Sequence, residues 1–486
     1  MGTVAALLVY AVLLAAAAAA VWRRQVIALY LFVVGLAAHN ATMAALYAAG
    51  LRGGPLTAVT AWKEILLAMA LISSGTAAFR ERRLPFRPGP VDGLALAFAA
   101  VVVVYALIPQ SALDGAAGRH AVALGARHDL VPVGAYFLGR SLRLDAAQLR
   151  RLAWTVLGTA AVVAGAGLVD VYALPIGWWR SNGVADYFHR QLGYDYHGTG
   201  GLPENFIYNV GGDRPFLRRL VSTFLSPLAS GYLCVVALLL TVSGLRGRIA
   251  IPLALGAAVG LLFTFSRSSL VALAAGFVVL AAARRQPLPL ACAALTIGIA
   301  VAWVHVFPKI APTGRFTKAD LVVQHERGKQ NPTANPDSPG STNEPSIRSH
   351  LASLRDGFST MVDHPEGYGL GNVGQTASRT GTPLKAGESN YTELGVELGI
   401  LGAVIWTGWG LGLVAGLLRA GAAGDPWAAG FAAALAAILV LAIQTDVIGD
   451  PWVAYCMWAL GGALVAPAAA RAPTMAGARA AAVEQA

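Results

Sequence analysis

Glu388 opens a segment, residues 388–399, that joins a long polar stretch to an apolar run long enough to cross a bilayer. An ionisable side chain costs about 2.5–3.5 kcal/mol at the bilayer centre and less at the rim, so a carboxylate kept there is a candidate for chemistry. A carboxylate can take a proton from a hydroxyl, which makes Glu388 a candidate general base. Two arginines occupy comparable places. Arg219, in Arg218-Arg219-Leu220-Val221-Ser222-Thr223-Phe224, introduces one apolar run, and Arg267, in Thr264-Phe265-Ser266-Arg267-Ser268-Ser269-Leu270, lies in the very short turn between two others. Guanidinium forks match phosphate oxygens, so a pair at one rim suits a diphosphate. The bland alternative for either arginine is a snorkelling anchor.

Further polar residues surround these three. Lys63 and Glu64 sit in the outer third of an apolar run, and Arg127, His128 and Asp129 lie near the outer end of another. Such charges can neutralise one another, or Lys63 and Arg127 can hold an anionic substrate. Arg348 and Arg355 share one flank of an expected amphipathic helix whose apolar stripe is Ile347, Leu351, Leu354, Phe358, Met361 and Val362. Arg348 reads either as a solvated edge or as an arm that grips an acidic substrate. His364-Pro365-Glu366-Gly367-Tyr368-Gly369-Leu370-Gly371-Asn372 should end that helix in a glycine turn. Neither a preceding strand nor a Gly-Lys-Ser/Thr supports a nucleotide loop there. His364, with Asn390 and Tyr391 beside Glu388, joins the candidate substrate contacts. His189, Asp195, His197 and Glu204, scattered among Gly, Tyr and Asn, read as solvated loop residues. Cys234, Cys292 and Cys456 each sit alone in apolar runs and offer neither a disulfide framework nor metal-ligand spacing. No metal or other cofactor is expected.

The elements that position these residues must be membrane helices. A chain of 486 residues with 56% hydrophobic and 13% charged residues, and mean hydropathy +0.59, is far greasier than soluble proteins with about 25% charged residues. The predicted class is an all-α polytopic membrane protein with about twelve or thirteen transmembrane helices, because backbone groups in lipid must be satisfied internally. Apolar runs lie near residues 4–21, 26–48, 57–79, 91–109, 121–139, 152–171, 220–243, 249–265, 268–283, 288–307, 391–418, 427–446 and 452–467. The charges of residues 127–129 suggest that the fifth begins after Asp129.

Arginine clusters at 23–24, 80–87, 140–151, 246–248, 284–285, 419 and 471 fall on alternate loops and mark the cytoplasmic side. The long polar segments 172–217 and 308–390 then face outward. The expected division is N-terminal helices 1–171, a first outer loop 172–217, helices with the arginines 218–307, a large outer loop 308–390 containing short amphipathic helices, helices 391–467 and a cytoplasmic tail 468–486. Residues 324–345 are too polar to offset their ordering entropy and are expected to act as a tether or lid. The net charge of +11 is mostly this topology signal; it suits an anionic lipid bilayer and not nucleic acid.

Taken together, the order of motifs resembles the O-antigen ligase and polymerase superfamily over about residues 210–420. The resemblance rests on Arg219 in Arg-x-x-Ser-Thr-Phe-x-x-Pro, Ser266-Arg267 opening a run, the Arg348 helix, His364-Pro365 with its glycines, and residues 388–402. It implies an enzyme of the plasma (inner) membrane working on the extracytoplasmic side without metal. Its donor would be a glycan on a polyprenyl diphosphate such as undecaprenyl diphosphate, and its acceptor a hydroxyl of a glycan or lipid-glycan. Arg219 and Arg267 would then neutralise the leaving diphosphate. Glu388-Ser389 falls where ligases of this family typically carry His-Asn, so the chain looks more like the exopolysaccharide or cell-wall polymerase branch. One base without a second carboxylate implies direct displacement with inversion.

Competing expectations differ in where charge should sit. A polysaccharide or lipid transporter or flippase tends to place charges and broken helices at the midplane with repeat symmetry, whereas the charges here gather at the rim. A dolichol-type glycosyltransferase typically needs acidic residues in its first outer loop, and residues 49–56 have none. A peptidoglycan polymerase of the shape, elongation and division class shares the donor but has an acidic loop motif that is not apparent here.

Overall fold

The computed structural model describes residues 2–210, 214–330, 344–385 and 388–465. Most of the expected tether and all of the expected tail therefore lie outside the described residues. Residues 324–330 close a helix, Lys318–Gln330, which the polar composition of that stretch had not suggested.

Among the described residues, eight helices are long and apolar enough to cross a membrane, or up to nine if the bent pair Gly54–Thr60 and Trp62–Glu81 counts as one span. The protein is a multi-pass membrane protein. Three further apolar helices, Ala250–Phe263, Pro426–Leu441 and Val453–Leu464, are shorter. The cause is local: Pro426–Leu441 stops before Gln444, Thr445 and Asp446, so the apolar run expected to reach 446 ends in turns. The helix Arg119–Ser141 runs without interruption through Arg127, His128 and Asp129, so the expected start after Asp129 is corrected. Asp129 is fully buried, and its Oδ1 meets His128 Nδ1 of the same helix at 2.8 Å. Cys234 and Cys456 are buried as expected, and Cys292 is partly buried.

Among the described residues, strands are confined to one small antiparallel sheet, Ile207–Tyr208, Phe216–Arg218 and Thr313–Gly314, with Phe216–Arg218 in the middle. This sheet joins the two long polar segments to each other. A second tie is the Asp320 carboxylate, which accepts hydrogen bonds from Thr199 Oγ1 at 2.9 Å, Gly200 N at 3.0 Å and Thr317 N at 2.8 Å. Burial works against that charge, but the hydrogen bonds from Gly200 and Thr317 outweigh it and leave the carboxyl below its ordinary range. The basic turns also meet on one face, where Arg23, Arg24, Arg83, Arg143 and Arg151 line a common cavity.

The apolar core is continuous across the bundle. Trp406, Trp409 and Trp458 pack at its centre, with the Trp409 and Trp458 rings stacked at 4.1 Å and Tyr136 edge-on to Trp409 at 5.5 Å. One buried ion pair closes this region: Arg140 Nε and Nη2 bond Asp92 at 2.7 and 3.1 Å, and Tyr136 OH donates to the same carboxylate at 2.7 Å. Neither charge is left uncompensated.

The helix Asn390–Ala422 is broken at Gly399, whose φ of 72° and ψ of 172° are closed to other residues. The break frees backbone groups that the glycine turn takes up. Tyr368 N bonds Val396 O at 2.7 Å, Gly369 N bonds Glu397 O at 3.0 Å, and Ile400 N bonds Pro365 O at 2.9 Å. A Cβ at Gly399 would stand 2.7 Å from Pro365 O. Gly399→Ala is therefore expected to cost at least about 1–3 kcal/mol, read as a lower melting temperature in detergent; an unchanged melt would show that the break is not required.

Candidate functional site

Arg219 and Arg267 come together with two residues that the sequence reading did not single out. Arg219 leaves the central strand of the small sheet and donates from Nε to Thr264 O at 2.8 Å. That carbonyl belongs to the turn that starts the helix Arg267–Arg284. Arg267 Nη2 lies 3.2 Å from Glu344 Oε2, and its guanidinium carbon lies 5.9 Å from the centre of the Tyr208 ring. Tyr208 OH reaches Glu344 Oε1 at 3.3 Å. Burial, reinforced by the like charge of Arg267, pushes Arg219 down to about 10, which still leaves it protonated at neutral pH. Two guanidinium groups thus share one partly buried corner.

Glu344 explains how that corner is built. Its side chain is 3% exposed, and the same Oε2 that meets Arg267 accepts the Ile347 amide at 2.9 Å, capping the helix Pro345–Asp363. The amphipathic helix expected from the apolar stripe is therefore present and is tied by its first turn to Arg267. Leu351, Phe358 and Val362 are exposed on it. Arg348 projects from the same helix and, with Arg355, lines a shallow groove. Glu344 lay at the edge of a stretch whose composition read as a tether, and nothing in that composition marked it.

The same helix also reaches Glu388. His350 Nδ1 contacts Glu388 Oε2, with the two side chains 32% and 49% exposed. His364 ends the helix, stacks on Tyr368 with ring centres 4.0 Å apart, and lies 3.7 Å from Asp114 and 3.6 Å from Glu366. The glycine turn follows. Gly371 has a φ of +84°, and its amide donates to the buried Glu397 carboxylate, a contact no larger residue would permit because a Cβ would meet Ala121 within 2.7 Å.

Asn390 and Tyr391 follow Glu388 after Ser389, but their polar groups are engaged elsewhere. Asn390 Nδ2 donates to Asp446 Oδ1 at 2.7 Å while its Oδ1 accepts Val447 N at 2.6 Å. Tyr391 OH donates to Leu439 O at 3.0 Å. Asn390 holds the helix start against the 442–448 turn, and Tyr391 holds it against the end of the helix Pro426–Leu441. This explains why a polar pair is tolerated there.

Lys63 and Arg127 form a second constellation. Glu64 Oε1 stands between them, 3.5 Å from Lys63 Nζ and 3.6 Å from Arg127 Nη1. Lys63 also donates to Thr60 O at 2.8 Å. Next to them His128 bridges two carboxylates, with Nδ1 2.8 Å from Asp129 Oδ1 and Nε2 3.1 Å from Asp446 Oδ2. Lys63, Arg127, His128, Tyr194, Arg379 and Asp446 line one small pocket. His128 and Asp446 lie 318 positions apart, and sequence offered no signal for their meeting beyond two acids, Asp446 and Asp450, after an apolar run.

A second buried arginine, Arg218, is also paired inside the protein. Arg218 donates to Asp170 Oδ1 at 3.0 Å and to the carbonyls of Asp170 and Val171 at 3.2 Å. Asp170→Ala leaves that guanidinium uncompensated, so a loss of about 3–5 kcal/mol of stability is expected. A melting curve of the purified variant checks it, with Asp170→Asn losing less because it keeps an acceptor.

The scattered loop residues are solvated as expected. His189 and His197 approach the exposed Asp195 at 3.9 and 3.8 Å, His189 Nδ1 lies 3.3 Å from Tyr194 O, and the His197 amide donates to Glu204 Oε1 at 2.9 Å. Among the described residues no group of His, Cys, Asp and Glu could hold a metal ion.

No curated protein matches the chain. A family comparison matches residues 252–407 to O-antigen ligase, a stretch that takes in Arg267, Glu344, His350, His364 and Glu388 but neither Arg219 nor Lys63 and Arg127. On that match, the chain carries an O-antigen ligase family domain across residues 252–407.

Proposed function

We propose that the protein is a membrane glycosyltransferase that joins a glycan carried on a polyprenyl diphosphate to an acceptor hydroxyl at the extracytoplasmic face. The observation that carries this reading is the helix Pro345–Asp363, which touches the Arg267 corner through Glu344 at one end and Glu388 through His350 further along. Six residues of helix rise about 9 Å. A diphosphate held by Arg219 and Arg267 would therefore leave its first sugar within reach of a base at Glu388.

In this mechanism the arginines neutralise charge as the anomeric carbon–oxygen bond breaks, which stabilises the leaving diphosphate. The basic group at Glu388 removes the acceptor hydroxyl's proton as its oxygen attacks the anomeric carbon. A single displacement inverts that centre. Arg348 and His364 flank the acceptor's approach, Lys63 and Arg127 contact anionic groups of the substrate at the neighbouring pocket, and Asn390 and Tyr391 fix the segment that carries Glu388. The glutamate in place of the family's histidine favours polymer formation over transfer to a lipid core. With the three shorter apolar helices and Arg119–Ser141 also counted as spans, the chain crosses the plasma membrane about thirteen times and both long polar segments face outward.

Reconstituted vesicles given a labelled polyprenyl-diphosphate oligosaccharide distinguish transfer from transport. The reading expects a new glycosidic bond, with the donor's anomeric configuration inverted in the product by NMR. A labelled donor that changes leaflet intact, with no new bond, would support a flippase instead. A product that retains the configuration would rule out the single displacement.

A further inference from the structure

We propose that Glu388 acts through His350, the two forming a carboxylate–imidazole dyad in which His350 Nε2 is the atom that takes the acceptor's proton. This rests on the transferase reading above and names the reacting atom within it. The observation is the contact between His350 Nδ1 and Glu388 Oε2, made across two elements that sequence had assigned separate roles. At 388 the chain carries a carboxylate where the resemblance implies an imidazole, and the structure places an imidazole on that carboxylate from another helix.

The geometry has a chemical consequence. When Nδ1–H donates to a carboxylate, the neutral ring keeps its lone pair on Nε2, which becomes the basic nitrogen. Nε2 of His350 hydrogen-bonds to no described residue. Glu388 faces the ring from outside its own helix, and Arg348 precedes it on the helix. The helix is fixed at its first turn by Glu344, whose carboxylate also meets Arg267. His350 is thereby held in register with the arginine corner, whereas Glu388, at the mouth of a loop, depends on its partner for orientation.

The acceptor oxygen forms its bond to the anomeric carbon while its proton passes to Nε2. The bond from that carbon to the diphosphate breaks, and its electron pair leaves with the diphosphate between Arg219 and Arg267. The resulting imidazolium is stabilised by the Glu388 carboxylate and returns its proton to water before the next turnover. Glu388 is then a positioning residue and His350 the catalytic one.

Two variants of the full-length protein in nanodiscs test the dyad, with release of polyprenyl diphosphate as the assay. His350→Ala should lose about 10²–10⁴-fold in kcat, and free imidazole should restore part of it, a rescue that a merely structural histidine would not show. His350→Gln, which keeps a hydrogen-bond donor toward Glu388, should melt like the parent and remain inactive. A His350→Ala enzyme of nearly parental rate, with Glu388→Gln inactive, overturns the dyad but leaves the transferase intact. Absence of release by the wild type overturns both.

Discussion

Glu388→Gln is expected to lower turnover by about 10²–10⁴-fold, the range in which a positioned acid–base group contributes to a rate. The substitution preserves shape and leaves an acceptor for His350, so it removes the charge and little else. Glu388 is half exposed, and its segment is held by the bonds of Asn390 and Tyr391 to the 442–448 turn and Leu439. The melting temperature should therefore stay within a few degrees of the parent. Turnover measured under saturating donor, beside a melt of the same preparation, separates chemistry from folding. A Glu388→Gln enzyme of parental rate would remove Glu388 from the mechanism.

Arg267→Ala carries the second large effect. Removing one donor from a site where charge develops typically costs about 10²–10³-fold, and Arg267 also holds the Glu344 carboxylate that caps the neighbouring helix. Two consequences are thus folded into one variant. Arg267→Lys separates them: an ammonium can still pair with Glu344 and keep the cap, but it lacks the planar fork that meets two phosphate oxygens. The lysine variant should recover stability and not rate. Recovery of rate by lysine would mean that a point charge suffices, and the diphosphate role assigned to the guanidinium would fail. Arg219→Ala should lower kcat in the same direction, because Arg219 shares the corner and its Nε is spent on Thr264 O, leaving its remaining donors for substrate.

Much of this corner was legible in the sequence for a plain physical reason. A charged residue at the end of an apolar run stands out against lipid, and Arg219, Arg267 and Glu388 are all of that kind. The amphipathic helix was legible from its stripe, and the glycine turn from proline and alternating glycines. What the sequence could not display were contacts between distant residues. Glu344 sits beside polar residues that hide it, His350 is one more polar residue on a solvated flank, and Asp446 finds His128 across most of the chain. The break at Gly399 was equally hidden, because Leu-Gly-Ile-Leu-Gly within an apolar run reads as continuous helix and only the arriving glycine turn shows where the backbone opens. The number of clear membrane helices fell below expectation for a related reason. An apolar stretch of sequence can continue past the helix it contains, which ends where turns such as 442–450 begin.

Glycan transfer from a polyprenyl diphosphate fixes the stoichiometry of its two products. Purified protein in nanodiscs, given a polyprenyl-diphosphate oligosaccharide and an acceptor glycan, should release one polyprenyl diphosphate for each glycosidic bond formed, without added metal and with both products lost together in Arg267→Ala. Release of the diphosphate with no matching bond, or bond formation that survives in Arg267→Ala, would contradict it.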